Sequence, residues 1–398
     1  MKFAYFVRPH IGGTYTVFKQ LREGLAPYGI EVCWMSMGQT EALKDPEWFP
    51  EFALGTSVST EGLANERDQA RALAAAIEAG GFDGVFINVL SDRIQTNIAR
   101  YLPEAITRIM IVHNITAGTY AAAVAVRDHV HAAIGVSDRI QSDLVRTMGF
   151  DADHTFAIPH AAETRLSRLL NRTSRATEPL RLVFLGRVED ASKGVFWLAD
   201  ILDHLDASIH LTIAGDGPDL QALKLKLARH GKRVTFLGAV HPKEVHRVLL
   251  HQDVMIMPSR FEGFGLTLTE AMAVGCVPVV SRIRGVTDTI IDDGINGFLF
   301  QIGNSAEAAR LITGIAANPE GAQLLSSAAR DKAEHVFTLD AMARRYAEVI
   351  RNITAAPPEI APPLDFADWS FPKGLRPGLR TYIPTPIKNW LRVMRERT

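Results

Sequence analysis

The sequence predicts two α/β domains, each a doubly wound parallel sheet, and three observations carry that expectation. At 398 residues the chain exceeds the roughly 100–200 residues that one domain usually holds. Short β-rich apolar runs alternate with helical patterns in two successive series, the signature of βαβ units whose sheets are covered on both faces. Between the series lies Glu163 to Pro179, where Asn171-Arg172-Thr173-Ser174-Arg175-Ala176-Thr177 is polar and without apolar period. The expected divisions are an N-terminal domain over 1–165, a linker over 166–179, a C-terminal domain over 180–340, and a helix with a Pro-rich basic tail over 341–398. The two domains are expected to face a cleft.

In the first series, strands are expected at 2–7, 30–36, 82–88, 108–113, 130–136 and 154–158, with helices near 14–27, 61–79, 91–101 and 138–148. The second series gives strands at 181–186, 209–214, 233–237, 253–257, 277–280 and 298–300. Its helices fall near 194–205, 218–230, 242–250, 266–274, 304–316 and 321–335. From Ala355 the alternation ends, and eight of the 20 prolines lie between Pro357 and Pro386, a composition that favours an extended strap over regular helix.

Composition excludes several classes. The chain is 47% hydrophobic and 22% charged, with 43 basic against 44 acidic residues, so disorder is excluded and no global field attracts nucleic acid. Cys33 and Cys276 stand far apart in apolar stretches, without the paired spacing of a disulfide framework or zinc site. The run Phe3-Ala4-Tyr5-Phe6-Val7 is too short for a signal-peptide core, and no segment reaches the ~20 apolar residues of a spanning helix. A cytoplasmic enzyme, or one peripheral on the cytoplasmic face of a membrane, is expected, and the sequons at Asn114, Asn171 and Asn352 then read as chance.

The most informative stretch runs from Met257 to Ala273. An apolar strand ends at Met257, a glycine-containing loop follows, and a helix opens near Leu266, so the backbone N–H groups of Phe264, Gly265 and Leu266 suit an oxygen-rich anion. Glu262 on the loop and Glu270 one turn into the helix can border one cleft at the carboxyl end of a parallel strand, where doubly wound sheets bind ligands. Taken singly, either glutamate reads equally as a solvated surface charge.

The strings Pro-Ser-x-x-Glu-Gly-Phe-Gly-Leu and Glu-Ala-Met-Ala-x-Gly, with seven residues between the two glutamates, resemble the signature of retaining glycosyltransferases of the GT-B architecture, specifically glycosyltransferase family 4. Three further strings resemble the same family, in its order: Gly186-Arg187 followed by Lys193-Gly194, Gly215-Asp216-Gly217-Pro218, and Asp293-Gly294-Ile295-Asn296-Gly297-Phe298. The likeness covers residues 186–300 strongly and 1–160 more loosely. It implies two Rossmann-like domains and transfer of a sugar from a nucleotide-sugar donor to a glycan or lipid-linked acceptor. No cofactor, metal or nucleic-acid partner is implied.

By that resemblance Arg187 and Lys193 clamp the donor diphosphate, whose extra negative charge on departure must be neutralised by cations and helix N-termini in place of a metal. Glu270 is then the ribose-hydroxyl acceptor, and Glu262 borders the donor sugar, bonding its hydroxyls or steadying charge at the anomeric carbon. Val234 to Val240 resembles the base-binding strand and loop, with the nucleobase against Gly238 to Val240. In the first half, Gly12 and Gly13 follow the first strand and open a helix; alone they read equally as a tight turn, whereas the family meets the donor diphosphate and acceptor with this loop. His113, ending the run Ile109 to Val112, resembles the family's histidine beside the donor sugar, its plain alternative being a satisfied buried histidine; His10 is a second candidate.

Asp151-Ala152-Asp153 precedes its strand and reads as a turn, not as the metal-holding Asp-x-Asp of other glycosyltransferases. Departures from the family are a longer spacing from Arg187 to Lys193, Pro159-His160-Ala161-Ala162-Glu163 where Pro-Asn-Gly-Val-Asp is common, and Asp288 where a glutamate is expected. Rival readings are an epimerase or hydrolase of the same architecture, which needs an N-terminal carboxylate pair that is not evident, and a non-catalytic nucleotide- or glycan-binding partner subunit.

In the tail, residues 372–398 carry Lys373, Arg376, Arg380, Lys388, Arg392, Arg395 and Arg397 against Glu396, a net of +6. Ile387, Trp390, Leu391 and Met394 have the spacing of an amphipathic helix. Two expectations stand: the helix docks on the N-terminal domain, or it attaches to an anionic membrane surface carrying a lipid-linked acceptor.

Overall fold

Two separate parallel sheets account for both series of strands. The computed structural model describes residues 1–38, 47–89, 92–164, 179–378 and 382–397. The chain divides into one unit of Met1–His160 with Leu339–Tyr382 and another of Ala161–Thr338 with Ile383–Thr398. The expected linker lies, but for Pro179, outside the described residues.

The first sheet has seven strands: β1 (Lys2–Phe6), β2 (Glu31–Met37), β3 (Gly55–Val58), β4 (Gly84–Asn88), β5 (Thr107–Val112), β6 (Ala132–Gly135) and β7 (Thr155–Ala157), in the order β3-β2-β1-β4-β5-β6-β7. The second has six: β8 (Arg181–Leu185), β9 (His210–Ala214), β10 (Val234–Gly238), β11 (Val254–Met257), β12 (Val277–Ser281) and β13 (Phe298–Phe300), in the order β10-β9-β8-β11-β12-β13. Every strand pairing in both sheets is parallel. Burial on both faces explains the near-continuous apolar runs of β1, β4, β5, β8, β11 and β12.

In each sheet the chain steps outward in one direction and then restarts on the other side of its first strand. The order therefore reverses between β1 and β4 and between β8 and β11, and at such a switch point the strand-end loops part to leave a crevice. The loops that open there are the one after β1, with Gly12 and Gly13, and those after β8 and β11, with Arg187, Lys193 and Glu262.

Among the described residues, the elements not anticipated include β3, the helix Ala117–Val126 and the one-turn helices Asp190–Lys193 and Thr287–Ile290. The tail also differs from the expected single appendage. The helix Leu339–Ala355 belongs to the first unit, where the fully buried Tyr346 meets Phe86 edge-on at 6.1 Å. The Pro-rich strap continues on that unit, as expected of an extended segment: Leu364 N–H donates to the Arg100 carbonyl at 2.8 Å, and Trp369 packs on Tyr101 with ring centres 4.5 Å apart. The last helix, Thr385–Arg397, groups with the second unit, against the expectation that it docks on the first. The guanidinium of Arg392 over the Phe261 ring, 4.4 Å from its centre, supplies the physical reason. Among the described residues no helix is long and apolar enough to cross a membrane.

Candidate functional site

In the second unit, three adjacent strand ends are stitched together by backbone. Gly186 N–H donates to the Ala214 carbonyl at 3.0 Å, Gly215 N–H to the Gly238 carbonyl at 2.8 Å, and Val188 N–H to the Asp216 carbonyl at 2.9 Å. Gly215 has φ +152°, and a Cβ there would stand 1.8 Å from the Gly186 carbonyl oxygen, so only glycine lets these loops close. Two of the quoted sequence strings thus meet as one ledge at the carboxyl ends of β8, β9 and β10. Arg187 projects from this ledge with a side chain 67% exposed, its Nε 3.5 Å from Glu189. At the next strand end Gly238 has φ +68° with open space around it, and Val240 is half-buried.

The longer spacing from Arg187 to Lys193 is wound into a one-turn helix, Asp190–Lys193. Gly194 ends it at φ +60°, where a Cβ would meet the Pro258 carbonyl oxygen at 2.3 Å. This turn is pinned to the loop after β11. The guanidinium of Arg260 bonds both the carboxylate of Asp190 (2.8 Å) and its carbonyl (2.9 Å), and lies 3.8 Å from the Trp197 ring centre. Arg260 N–H adds a bond to the Ser192 carbonyl at 2.8 Å, and Asp190 N–H donates to Asp219 Oδ2 at 2.7 Å.

That framework brings Lys193 and Glu262 together. Lys193 Nζ lies 2.6 Å from Glu262 Oε1, which also accepts from Ser259 Oγ at 2.7 Å. Glu262 is only 8% exposed, so this ion pair is largely shielded from water. The family resemblance gives the two residues separate tasks, on the leaving group and on the sugar; in this structure each is the other's counter-ion.

Beyond Glu262 the loop turns at Gly265 (φ +114°) into the helix Leu266–Ala273, where the Leu268 and Thr269 amides bond the Gly265 carbonyl at 3.0 and 3.2 Å and the Leu266 and Thr267 amides precede these first helical bonds. The Phe264 side chain packs edge-on against Phe337, ring centres 5.7 Å apart, so Phe264 can offer a ligand backbone rather than its ring. Glu270 sits half-buried on that helix. The string from Asp293 to Phe298 is occupied structurally: Asp293 pairs with Arg282 at 2.7 Å and accepts from Leu299 N–H at 2.9 Å. Asp288 accepts from Gly285 N–H at 2.6 Å, so the shorter carboxylate caps its own turn.

In the first unit, a Cβ at Gly12 would stand 2.8 Å from the His10 ring, and the Gly12 carbonyl accepts from the Tyr15 and Thr16 amides at 3.2 Å as the helix Gly13–Leu25 begins. His10 Nδ1 lies 2.9 Å from the Arg8 carbonyl, which it can reach only as a donor, and Thr14 Oγ1 lies 3.2 Å from Nε2. His10 therefore holds the turn that presents both glycines.

His113 follows β5 and meets Asn88 at the end of β4. Asn88 Nδ2 donates to the Phe6 carbonyl at 2.8 Å, which turns its Oδ1 toward His113 Nε2 at 2.7 Å. An amide oxygen only accepts, so Nε2 carries the imidazole proton. His160 stacks on His113 with ring centres 5.5 Å apart. Burial lowers the His113 pKa from 6.5 to about 4, and burial together with the neighbouring His113 holds His160 well below the usual histidine range. His113 is thus a neutral, oriented donor. Asp151 and Asp153 form the expected turn, Asp151 accepting from the Asp153 amide at 3.0 Å and pairing with His154 at 2.8 Å.

The sequence reading missed Asn88 and the Asp190–Arg260 brace. Asn88 lies in no distinctive string, its only signal being that it closes a buried strand as the one polar residue of its run, and Asp190 and Arg260 stand at positions inside the quoted stretches that the strings leave open.

Residues 168–332 match the family model described as Glycosyl transferases group 1. Over 169 residues the chain is 32% identical to a phosphatidyl-myo-inositol mannosyltransferase of Propionibacterium freudenreichii, covering 42% of each protein. It is 34% identical over 148 residues to a glycogen synthase of Rhizobium tropici, covering 36% of this chain and 29% of that enzyme. The chain thus spans less than half the length of these curated relatives. Among solved structures, Anabaena Alr3699/HepE in complex with UDP and glucose superposes with a TM-score of 0.73 at 17% identity, covering 88% of this chain and 99% of that one. With its two parallel-sheet units and this likeness, the chain has the GT-B fold.

Proposed function

We propose that the chain is a glycosyltransferase that moves a sugar, with retention of anomeric configuration and without a metal, from a nucleotide-sugar donor to a hydroxyl of a glycan or lipid-linked glycan. The observation that carries the reading is the shielded Lys193–Glu262 pair at the β8/β11 switch point, held at 2.6 Å beside the helix that begins at Leu266. Cleaving a sugar–phosphate bond separates charge: the diphosphate departs with extra negative charge, and the anomeric carbon gains positive character. An ammonium and a carboxylate fixed side by side match that pair of charges.

In this reading Arg187 and Lys193 take the diphosphate, together with the amides of Phe264 to Leu266. Glu270 bonds the ribose, Gly238 to Val240 line the base, and Glu262 faces the sugar. On the first unit, Gly12 and Gly13 offer backbone to donor and acceptor, and His113 offers its neutral ring to the sugar. The leaving diphosphate itself takes the acceptor's proton, so no side chain is needed as base. The relative named for a phosphatidyl-myo-inositol acceptor and the neighbour holding UDP and glucose support this choice of substrates.

The test is incubation with a panel of nucleotide sugars and candidate acceptors in the presence of a chelator, with products read by mass spectrometry and the new linkage by NMR. A glycosylated product of unchanged anomeric configuration is expected. Inversion would refute the mechanism, and nucleotide-sugar binding with no turnover of any donor would favour a non-catalytic module.

A further inference from the structure

The helix Thr385–Arg397 rests on its unit by its polar side. Asn389 is 8% exposed and Arg392 lies over Phe261, whereas Ile387, Trp390, Leu391 and Met394 are 49, 61, 50 and 44% exposed. At about 3.6 residues per turn these four positions form one stripe. A surface helix ordinarily turns such a stripe toward the core. Here the described residues leave a tryptophan and three other apolar side chains exposed to water.

Charge selects the occupant. On the same helix, positions 388 and 395 border the stripe on one side and position 397 on the other, and all three are basic. Residues 372–398 carry a net of +6, while the chain as a whole carries -1. An apolar stripe holding a Trp and flanked by Lys and Arg matches the boundary between acyl chains and anionic headgroups, where the ring sits at the interface and the cations reach the phosphates. A second copy presenting the same stripe would set like charges against each other.

We propose that this face docks on an anionic membrane surface, laying the helix in the interface plane. The docking is independent of the transferase reading, because vesicle binding is measured without donor or acceptor.

The experiment uses the full chain with vesicles of phosphatidylcholine alone or mixed equally with phosphatidylglycerol. Flotation with the anionic vesicles at low salt is expected, with release at high salt and no flotation with neutral ones. The double variant Trp390→Glu, Leu391→Glu should bind roughly tenfold more weakly. Its thermal transition should be unchanged, because these side chains face away from the unit. Lys388→Gln, which leaves the stripe intact, should weaken binding about fivefold. Equal flotation with both vesicle types, no flotation at low salt, or a double variant that binds like the parent would overturn the proposal. So would a self-association, or binding to an acidic protein, that the double variant abolishes while vesicles remain unbound.

Discussion

Lys193 and Glu262 neutralise each other in the free protein, and that fixes how their variants should behave. A diphosphate must draw the ammonium partly away from the carboxylate, so Lys193→Ala should lower kcat by about 10²–10³, the scale for losing one preorganised charge-stabilising donor. Steady-state rates with and without a chelator check it, and a parent-like rate would remove Lys193 from the clamp. Ribose contacts persist from ground state to transition state, whereas contacts to anomeric charge strengthen, so Glu270→Ala should mainly raise donor KM and Glu262→Ala should mainly lower kcat. The reverse split would exchange their roles. His113 offers a pH signature. Its folded pKa, lowered to about 4, lies below the ordinary 6.5, so between those values the unfolded chain binds more protons. Stability is then full above about pH 6.5 and falls on acidification, by about 3 kcal/mol at pH 4 from this residue. Thermal melts of His113→Gln should show a shallower acid limb, and an unaltered limb would place the titration elsewhere. Each of these residues stands out in the sequence as a candidate, because each sits in or ends a distinctive string. Their pairing was not: Lys193 and Glu262 are 69 positions apart, and only the strand order sets them side by side.

Strand-end loops hold the candidate residues, so in the proposed function their backbone sets the limits at the scale of the element. Gly194 is left-handed and its missing Cβ would collide with the Pro258 carbonyl, so Gly194→Ala should strain the turn and push the Lys193 loop off the β11 loop. A loss beyond about 1 kcal/mol is expected, with lower donor turnover. Gly314, inside the helix Ser305–Ala317 with nothing near its Cβ position, is the contrasting case: Gly314→Ala should stabilise by about 0.5–1 kcal/mol and leave turnover unchanged. Chemical denaturation and kinetics on the two variants check both halves, and similar behaviour of the pair would show that backbone geometry at 194 is unimportant. Elements with a strong period were legible, which is why twelve of the thirteen strands among the described residues were anticipated. The exception, β3, is four residues of Gly-Thr-Ser-Val at a sheet edge, with too little apolar content to alternate. The helix Ala117–Val126 failed for the opposite reason: Ala-Gly-Thr-Tyr-Ala-Ala-Ala-Val-Ala-Val is small and apolar on nearly every side, so no face stands out.

At the scale of the whole chain, the order of residues and the membership of the units part company. The helix Leu339–Ala355 follows the second sheet in sequence but packs on the first unit, where Met342, Tyr346, Val349 and Ile350 are buried. Local pattern gives such a segment an amphipathic face without saying which core receives it. This makes a test of the division of labour. Tyr346 is fully buried against Phe86, so Tyr346→Ala should remove about 3–5 kcal/mol, the range for emptying a large aromatic site, and from the first unit alone. A nucleoside diphosphate bound by the Arg187, Lys193 and Glu270 region should instead stabilise the second unit, by about 2.7 kcal/mol at a concentration of 100 Kd. Calorimetry of the parent and of Tyr346→Ala, each with and without nucleoside diphosphate, separates the two. The transition lowered by the substitution should be the one that the nucleotide moves less, because most of the proposed diphosphate contacts lie in the second unit. If the nucleotide moves only the transition that the substitution lowers, the donor's phosphates are held by the first unit, and the assignment of Arg187 and Lys193 fails with it.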